Sequence, residues 1–475
     1  MMVTDSLWPG RISRSVLLGI ILLLVCLVVA RVVAWETRLG YLALSAGVLS
    51  LLVIYRPAVG VIALLFLSVL VPVGFLIPGM TTWLYVPELL IPVLTGLLIV
   101  RRLVIERRAL RLTRPMLPLA FMLLVATVSG YGALESGMYI DRMDIFYGAY
   151  LILAPLAAYF FTTNAIEDRR WLRPAMISIL SLGSMEAGLA ILSRFLDQEL
   201  SLFMSKQPVA YATVQGGFAG VLMVVATCIA VAVALGADRH PSVRALTAPV
   251  IVLLLFGQVA VYVRGAWVAT VVGCIVVTWL CRRTMMWGTA AALVIVASLV
   301  VMVIGPEIPD SLVDILYIGS PSQLASTKLR VDLAQEALKI TASRPWVGVG
   351  PGTYLYHAGV FWQGRVITSA HNNYAQIAAE LGILGLLGFL GFLGASSREG
   401  WELYRNAVAL EDQLVSVAFL ASLISLAVMA LTGDYILNAY SNTGLMCFRA
   451  AVVFWILLGL VSAARRLEAA ERGKT

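Results

Sequence analysis

The sequence predicts an all-α, polytopic integral membrane protein with about 12–14 transmembrane helices and one longer helical loop outside the membrane. Three observations predict it. Of the 475 residues, 61% are hydrophobic and only 13% are charged, against roughly half and a quarter in an ordinary soluble protein. The apolar residues are gathered into runs of about 20, the length that crosses a bilayer as a helix. The basic residues gather in alternate connections between those runs, as the orientation bias of membrane proteins requires. The balance of 34 Lys+Arg against 26 Asp+Glu, a net +8, therefore concerns membrane orientation rather than nucleic acid. A soluble globular enzyme, a disordered chain and a disulfide-rich secreted module are excluded.

Fourteen runs qualify, at about 15–34, 39–55, 58–77, 84–100, 115–131, 145–162, 172–195, 209–235, 245–262, 265–281, 285–304, 373–394, 413–433 and 444–463. The second and fourth are short. The ninth and tenth are separate helices joined by a tight turn at Val263, Arg264 and Gly265, because 37 residues exceed one crossing of a ~30 Å core. The first run lacks a small-residue cleavage site and reads as a retained helix. The five cysteines form no CxxC pair, and with three histidines in the chain a His-rich metal site is not expected.

With the N-terminus in the cytoplasm, alternation puts most basic residues on the cytoplasmic side, including the cluster from Arg101 to Arg114, Arg169, Arg170, Arg173, Arg398, Arg465 and Arg466. An even number of spans keeps the C-terminal tail on that side too. The long connection 305–372 then falls outside. A segment of that length usually carries function. It holds a helical stretch over about 327–341, with Ser326 as N-cap and Leu329, Leu333, Ala337 and Ile340 on one apolar face. Pro345 and the turn-rich Gly348, Gly350, Pro351 and Gly352 follow.

The residues able to do chemistry lie on this outer side. His371 opens the twelfth span in His371-Asn372-Asn373-Tyr374-Ala375-Gln376, and an imidazole can take a proton from a hydroxyl near neutral pH. Arg264 goes against the charge bias of its side, as functional charges at a membrane edge often do. Arg330, in the outer helix, has Ala334, Ala337 and Thr341 for neighbours, which leaves room beside it. Outer-side arginines near a histidine suit an anionic ligand, since guanidinium meets phosphate in bidentate fashion and stays charged. Lys206, Arg194 and Arg365 are weaker cationic candidates, and Tyr374, Glu380 and Asp434 weaker pocket candidates. Glu380 reads as a helix–helix hydrogen-bond partner, and Gly382, Gly385, Gly388, Gly391 and Gly394 as a packing stripe. No nucleotide-binding P-loop, HExxH or GxSxG occurs, so an outer-face reaction draws on a pre-activated substrate.

The stretch His371-Asn372-Asn373-Tyr374-Ala375-Gln376-Ile377-Ala378-Ala379-Glu380-Leu381-Gly382, continuing through Gly385 and Gly388, resembles the signature of the O-antigen ligase / O-antigen polymerase superfamily. Arg264-Gly265-Ala266-Trp267 and the block from Arg330 to Gly352 agree with it in order and spacing. The resemblance covers roughly 209–395. It divides the chain into N-terminal transmembrane helices (1–208), a ligase-like core with the outer loop 305–372 (209–395), and C-terminal helices with a cytoplasmic tail (396–475). It implies a GT-C-like fold in the bacterial plasma membrane. It also implies an inverting, metal- and cofactor-independent glycosyl transfer from undecaprenyl diphosphate to a sugar hydroxyl. His371 would activate that hydroxyl, and Arg264 and Arg330 would hold the diphosphate. The acceptor would be lipid A–core in a ligase or another lipid-linked repeat in a polymerase; ligation of a capsule chain or other polymer to another acceptor, including protein, stays open. The competing class is a transporter or flippase, which would place its charges midway through spans related by an internal repeat.

Overall fold

The computed structural model describes residues 50, 54–70, 74–76, 83–136, 140–195, 216–236, 241–261, 263–282, 321–358, 361–362, 365–366, 369–437 and 448–473. The predicted spans 15–34 and 285–304 and nearly all of 39–55 lie outside them. The rest is helical: α1 (Pro57–Leu70), α2 (Val86–Val100), α3 (Met116–Leu134), α4 (Arg142–Ala165), α5 (Leu172–Phe195), α6 (Gly216–Gly236), α7 (Pro241–Ala260), α8 (Arg264–Cys281), α9 (Pro321–Ser343), the single turn α10 (Tyr354–His357), α11 (Asn373–Asn406), α12 (Leu410–Met429) and α13 (Phe448–Arg472). Two short antiparallel ribbons, Gly74–Leu76 with Trp83–Tyr85 and Phe361–Trp362 with Arg365–Val366, complete the described elements.

Among the described residues, eight helices are long and apolar enough to cross a membrane: α3 to α8, α11 and α12. Their surfaces say the same. On α3, Leu117, Phe121, Leu124, Val128 and Tyr131 form an exposed stripe, while Leu119, Met122, Val125 and Ala126 are buried. In water such a stripe would be costly; against lipid it costs nothing. The chain is thus a multi-pass membrane protein. α2, at 15 residues, reaches only ~22 Å and is prolonged by a π-turn at Arg101–Ile105. The interior joins helices from all parts of the chain: α8 and α6 pack on α12, α13 on α4, and α3 on α11.

One end of the bundle is laced by ion pairs. Arg169 meets Asp412 at 2.7 Å and also Glu468 and Glu471; Arg465 meets Glu399 at 3.0 Å and Glu402 at 2.9 Å; Arg114 also reaches Glu402. The Asp412 and Glu399 side chains are fully buried. These pairs fasten α3, α11, α12 and α13 together. α4 runs from Asp141, at the opposite end, to Ala165 beside this network, so its 24 residues set the separation at ~35 Å.

The outer helix is longer than its sequence suggests. It begins at Pro321, so Ser326 lies within it rather than capping it. Leu333, Ala337 and Ile340 bury against Val349, Tyr354, Ala370 and Ala379, and Leu329 lies only partly covered. The twelfth span is longer too, reaching Asn406, but it is broken at Gly382, which takes φ 68° and ψ −168°.

The break is filled by the loop Pro345–Gly352. Ala379 O and Glu380 O, at the end of the first half, accept from Val349 N (3.1 Å) and Gly350 N (3.0 Å). Ile383 N and Leu384 N, at the start of the second, donate to Pro345 O (2.7 Å) and Trp346 O (3.2 Å). A broken helix leaves backbone groups unpaired, which is tolerable at membrane depth only where protein satisfies them. The fit requires glycine on both sides. A methyl on Gly348, at φ 72°, would overlap the Glu380 carbonyl, and one on Gly382 would lie 2.6 Å from Val347 N. Gly382 is therefore a break and not part of a packing stripe. Of the other four, Gly388 and Gly391 face α3 at Met122 and Pro118, whereas Gly394 has nothing within 4 Å.

Candidate active site

The site lies at the end of the bundle away from the ion-pair network. His371 does not open α11. Asn373 is its first residue, and Asn372 is the N-cap, its side chain accepting from Tyr374 N (2.9 Å) and Ala375 N (3.1 Å). His371 precedes the cap with φ 47°, a conformation that non-glycine residues seldom adopt. Helical spacing from His371 to Ala375, Ala378 or Glu380 accordingly has no meaning.

The strained turn is held on both sides of the histidine. His371 N donates to Ser369 Oγ at 3.2 Å, and Ala370 N donates to Gln376 Oε1 at 2.7 Å. Gln376 Nε2 in turn donates to Glu380 Oε1 at 2.7 Å, and the same oxygen accepts from Tyr354 N at 3.3 Å. Glu380 is thus neither a direct orienter of the imidazole nor only a helix–helix contact. It anchors a relay through Gln376 to the backbone one residue before His371. Because the Glu380 carbonyl is itself held by Gly350 N and by Ser129 Oγ at 3.0 Å, the relay is fixed to the filled break.

Asn373 performs a second clamp. Its N–H donates to Ala430 O (2.9 Å), its Oδ1 accepts from Tyr435 N and Ile436 N (both 3.0 Å), and its Nδ2 reaches Leu437 O. It therefore draws the segment after α12, carrying Asp434 and Tyr435, alongside His371. Tyr374, another pocket candidate, is spent on structure: its hydroxyl donates to Ala427 O at 2.9 Å and its ring meets Phe389 edge-on.

Arg330 stands exposed on α9, and its charge acts on both His371 and Tyr435. Burial, reinforced by that charge, holds the His371 imidazole below its ordinary value. The Tyr435 hydroxyl is raised by burial, with Arg330 and Asp434 pulling in opposite directions. Arg264 is the exposed first residue of α8. Its neighbour Gly265 lies against Thr432 and Met429 at the end of α12, one residue short of the Ala430 carbonyl that Asn373 engages. His371, Arg330, Arg264, Glu380, Tyr374 and Asp434 are therefore brought to one end of the molecule. Lys206 and the side chains of Arg194 and Arg365 lie outside the described residues. Nothing in the sequence singles out Asn373 or Gln376. Both sit inside the histidine block, but only the bend before α11 reveals what they hold.

The fold and this end together define a polytopic helical membrane protein with a partly buried histidine under the charge of Arg330 at one end of the bundle. Residues 249–390 match the model of a family described as O-antigen ligase, which supports a place in the O-antigen ligase superfamily. The matched stretch runs from α7 into α11 and contains Arg264, Arg330, His371, Glu380 and the filled break; Asp434 lies beyond it. It supports a membrane glycosyltransferase, with a lipid-linked glycan and an acceptor as partners in general. None of the curated proteins matches the chain.

Proposed function

We propose that this protein transfers a glycan from undecaprenyl diphosphate to a sugar hydroxyl at the outer face of the bacterial plasma membrane, as an O-antigen ligase does. The observation that carries the reading is His371 held in a strained bend within reach of the Arg330 charge, which together with burial lowers the imidazole's pKa and favours its basic form. A base needs a free lone pair and a leaving diphosphate needs cations; here the same arginine serves both. In the step proposed, His371 takes the proton of the acceptor hydroxyl. The acceptor oxygen bonds to the anomeric carbon from the face opposite the leaving group. The bond from that carbon to the diphosphate oxygen breaks, and undecaprenyl diphosphate departs with the electron pair, its charge met by Arg330 and Arg264. The configuration at the anomeric carbon inverts, and neither metal nor cofactor takes part. In this reading the ion-paired end faces the cytoplasm with both termini, and loop 305–372 lies outside.

The test uses purified protein in lipid nanodiscs with a lipid-linked glycan donor and a pool of acceptors, some bearing lipid A–core, read by mass spectrometry. The expected product is glycan on lipid A–core. Longer lipid-linked chains with the core untouched would make the protein a polymerase. Donor crossing the bilayer of liposomes with no product would make it a transporter. His371→Ala should abolish transfer, and Arg264→Lys and Arg330→Lys should lose much of it, since an ammonium cannot make the bidentate contact. Full transfer by His371→Ala would end the base assignment.

A further inference from the structure

The arginines at the end of α4 opposite His371 form a second charged site. The π-turn after α2 and a left-handed Arg107 (φ 52°) fold the chain back, so that Arg101, Arg102, Arg108 and Arg111 gather where α4 ends, with Arg466 of α13 beside them. Part of this is explained locally. Arg102 Nη2 donates to Asn164 O (2.7 Å) and Arg466 to Thr163 O (2.7 Å) and Ile166 O, so cations cover the carbonyl end of the helix. Asn164 grips the Arg111 backbone through Oδ1 (3.0 Å) and Nδ2 (3.1 Å).

The rest is not explained that way. The carboxylates beside these arginines are Glu106, paired with Arg101 at 2.7 Å, and Glu167, which lies 2.6 Å from Arg102 and 3.9 Å from Arg108 and Arg111. Five arginines thus share two carboxylates. Arg102 is only 1% exposed, yet its Nε and Nη1 meet no acceptor among the described residues, and neither does the buried Nη1 of Arg111 or of Arg101. Leaving a buried guanidinium N–H unmatched forfeits its hydration with nothing in return. Burial lowers the pKa of both Arg102 and Arg111, and Arg111 adds its repulsion to Arg102.

We propose that this cluster binds a phosphate-bearing anion between Arg102 and Arg111. Two guanidinium groups with unused N–H donors fit phosphate oxygens in bidentate fashion, and the anion would offset the surplus charge. The cluster adjoins the end of α4, a helix long and apolar enough to cross a membrane, so the phosphate comes either from an anionic phospholipid headgroup or from solution.

The experiment is the thermal unfolding of delipidated full-length protein in neutral detergent. It is titrated with phosphatidylglycerol, with inorganic phosphate, and with chloride at matched ionic strength; native mass spectrometry counts bound lipid. The expected result is a rise in Tm with phosphatidylglycerol or phosphate that chloride does not reproduce. Phosphatidylglycerol acting alone identifies the headgroup as the source, and phosphate acting as well identifies a site open to solution. Arg111→Gln keeps the backbone contact to Asn164 and should weaken the response roughly tenfold or more, while Arg111→Lys retains part of it. No rise above chloride in the wild type, or an equal rise in Arg111→Gln, overturns the proposal.

Discussion

Gly348→Ala tests the filled break in α11. Alanine at φ 72° costs ~1–2 kcal/mol in its own backbone. Its methyl would overlap the Glu380 carbonyl and lie 2.5 Å from Leu381 N, and these are backbone atoms with no rotamer to yield. The loop must withdraw, taking with it at least the bonds from Val349 N to Ala379 O and from Gly350 N to Glu380 O. At ~1 kcal/mol net for each hydrogen bond, the total is about 3–4 kcal/mol. Gly394→Ala is the matched control, with nothing within 4 Å of the new methyl and a helix propensity gain of up to ~1 kcal/mol. The assay is thermal unfolding in detergent, followed by tryptophan fluorescence. At ~2 °C per kcal/mol for a large domain, Gly348→Ala should melt roughly 6–8 °C lower, and Gly394→Ala at or slightly above the wild type. Equal melting of the two alanine variants would refute the reasoning.

Three other outcomes follow from the same geometry. Because the pKa of His371 lies below its ordinary 6.5 and the base acts when neutral, transfer should hold down to a pH below that value and fall only as the imidazole gains its proton; Arg330→Gln should move this acid limb upward, and an unmoved limb would count against the coupling. Gln376→Leu removes the link between Ala370 N and Glu380, leaving both a partner short at a cost of about 2–3 kcal/mol; kcat should fall with KM little changed, and wild-type kcat would show the relay to be idle. Arg169→Met strands the fully buried Asp412 carboxylate and should destabilise by about 3–5 kcal/mol in the same melting assay, whereas a loss below ~1 kcal/mol would mean that water reaches the pair.

The helical class, the membrane setting and most spans are legible in sequence, because each depends on local hydropathy and length. The 3.6-residue pattern of Leu333, Ala337 and Ile340 likewise announces the buried face of α9. The site is legible as residue types and not as geometry. His371 reads as helical because the run after it is helical, yet Asn372 captures the free N–H groups and turns the histidine out of the helix. Gly382 reads as one of five evenly spaced glycines, since nothing local distinguishes a glycine that packs from one that bends. What separates them is a loop more than thirty residues earlier, with Gly348 placed opposite. The clamp of Asn373 on the segment after α12 is equally non-local: the three partners of its side chain lie 62 to 64 residues on.

The two sets of partners around α11 also lie on opposite sides of it in chain order. The loop that fills the break is synthesised before the helix, and the segment held by Asn373 after it. When α11 leaves the ribosome, the backbone that closes its interruption is already made, so the span need not rest in lipid with bare amides and carbonyls. The bonds that hold the bend before His371 lie in α11 and the chain before it, whereas the clamp of Asn373 must wait for α12 and the residues that follow. The segment carrying Asp434 and Tyr435 is therefore added last, to a turn already held, and a chain truncated after α11 would lack that side of the site.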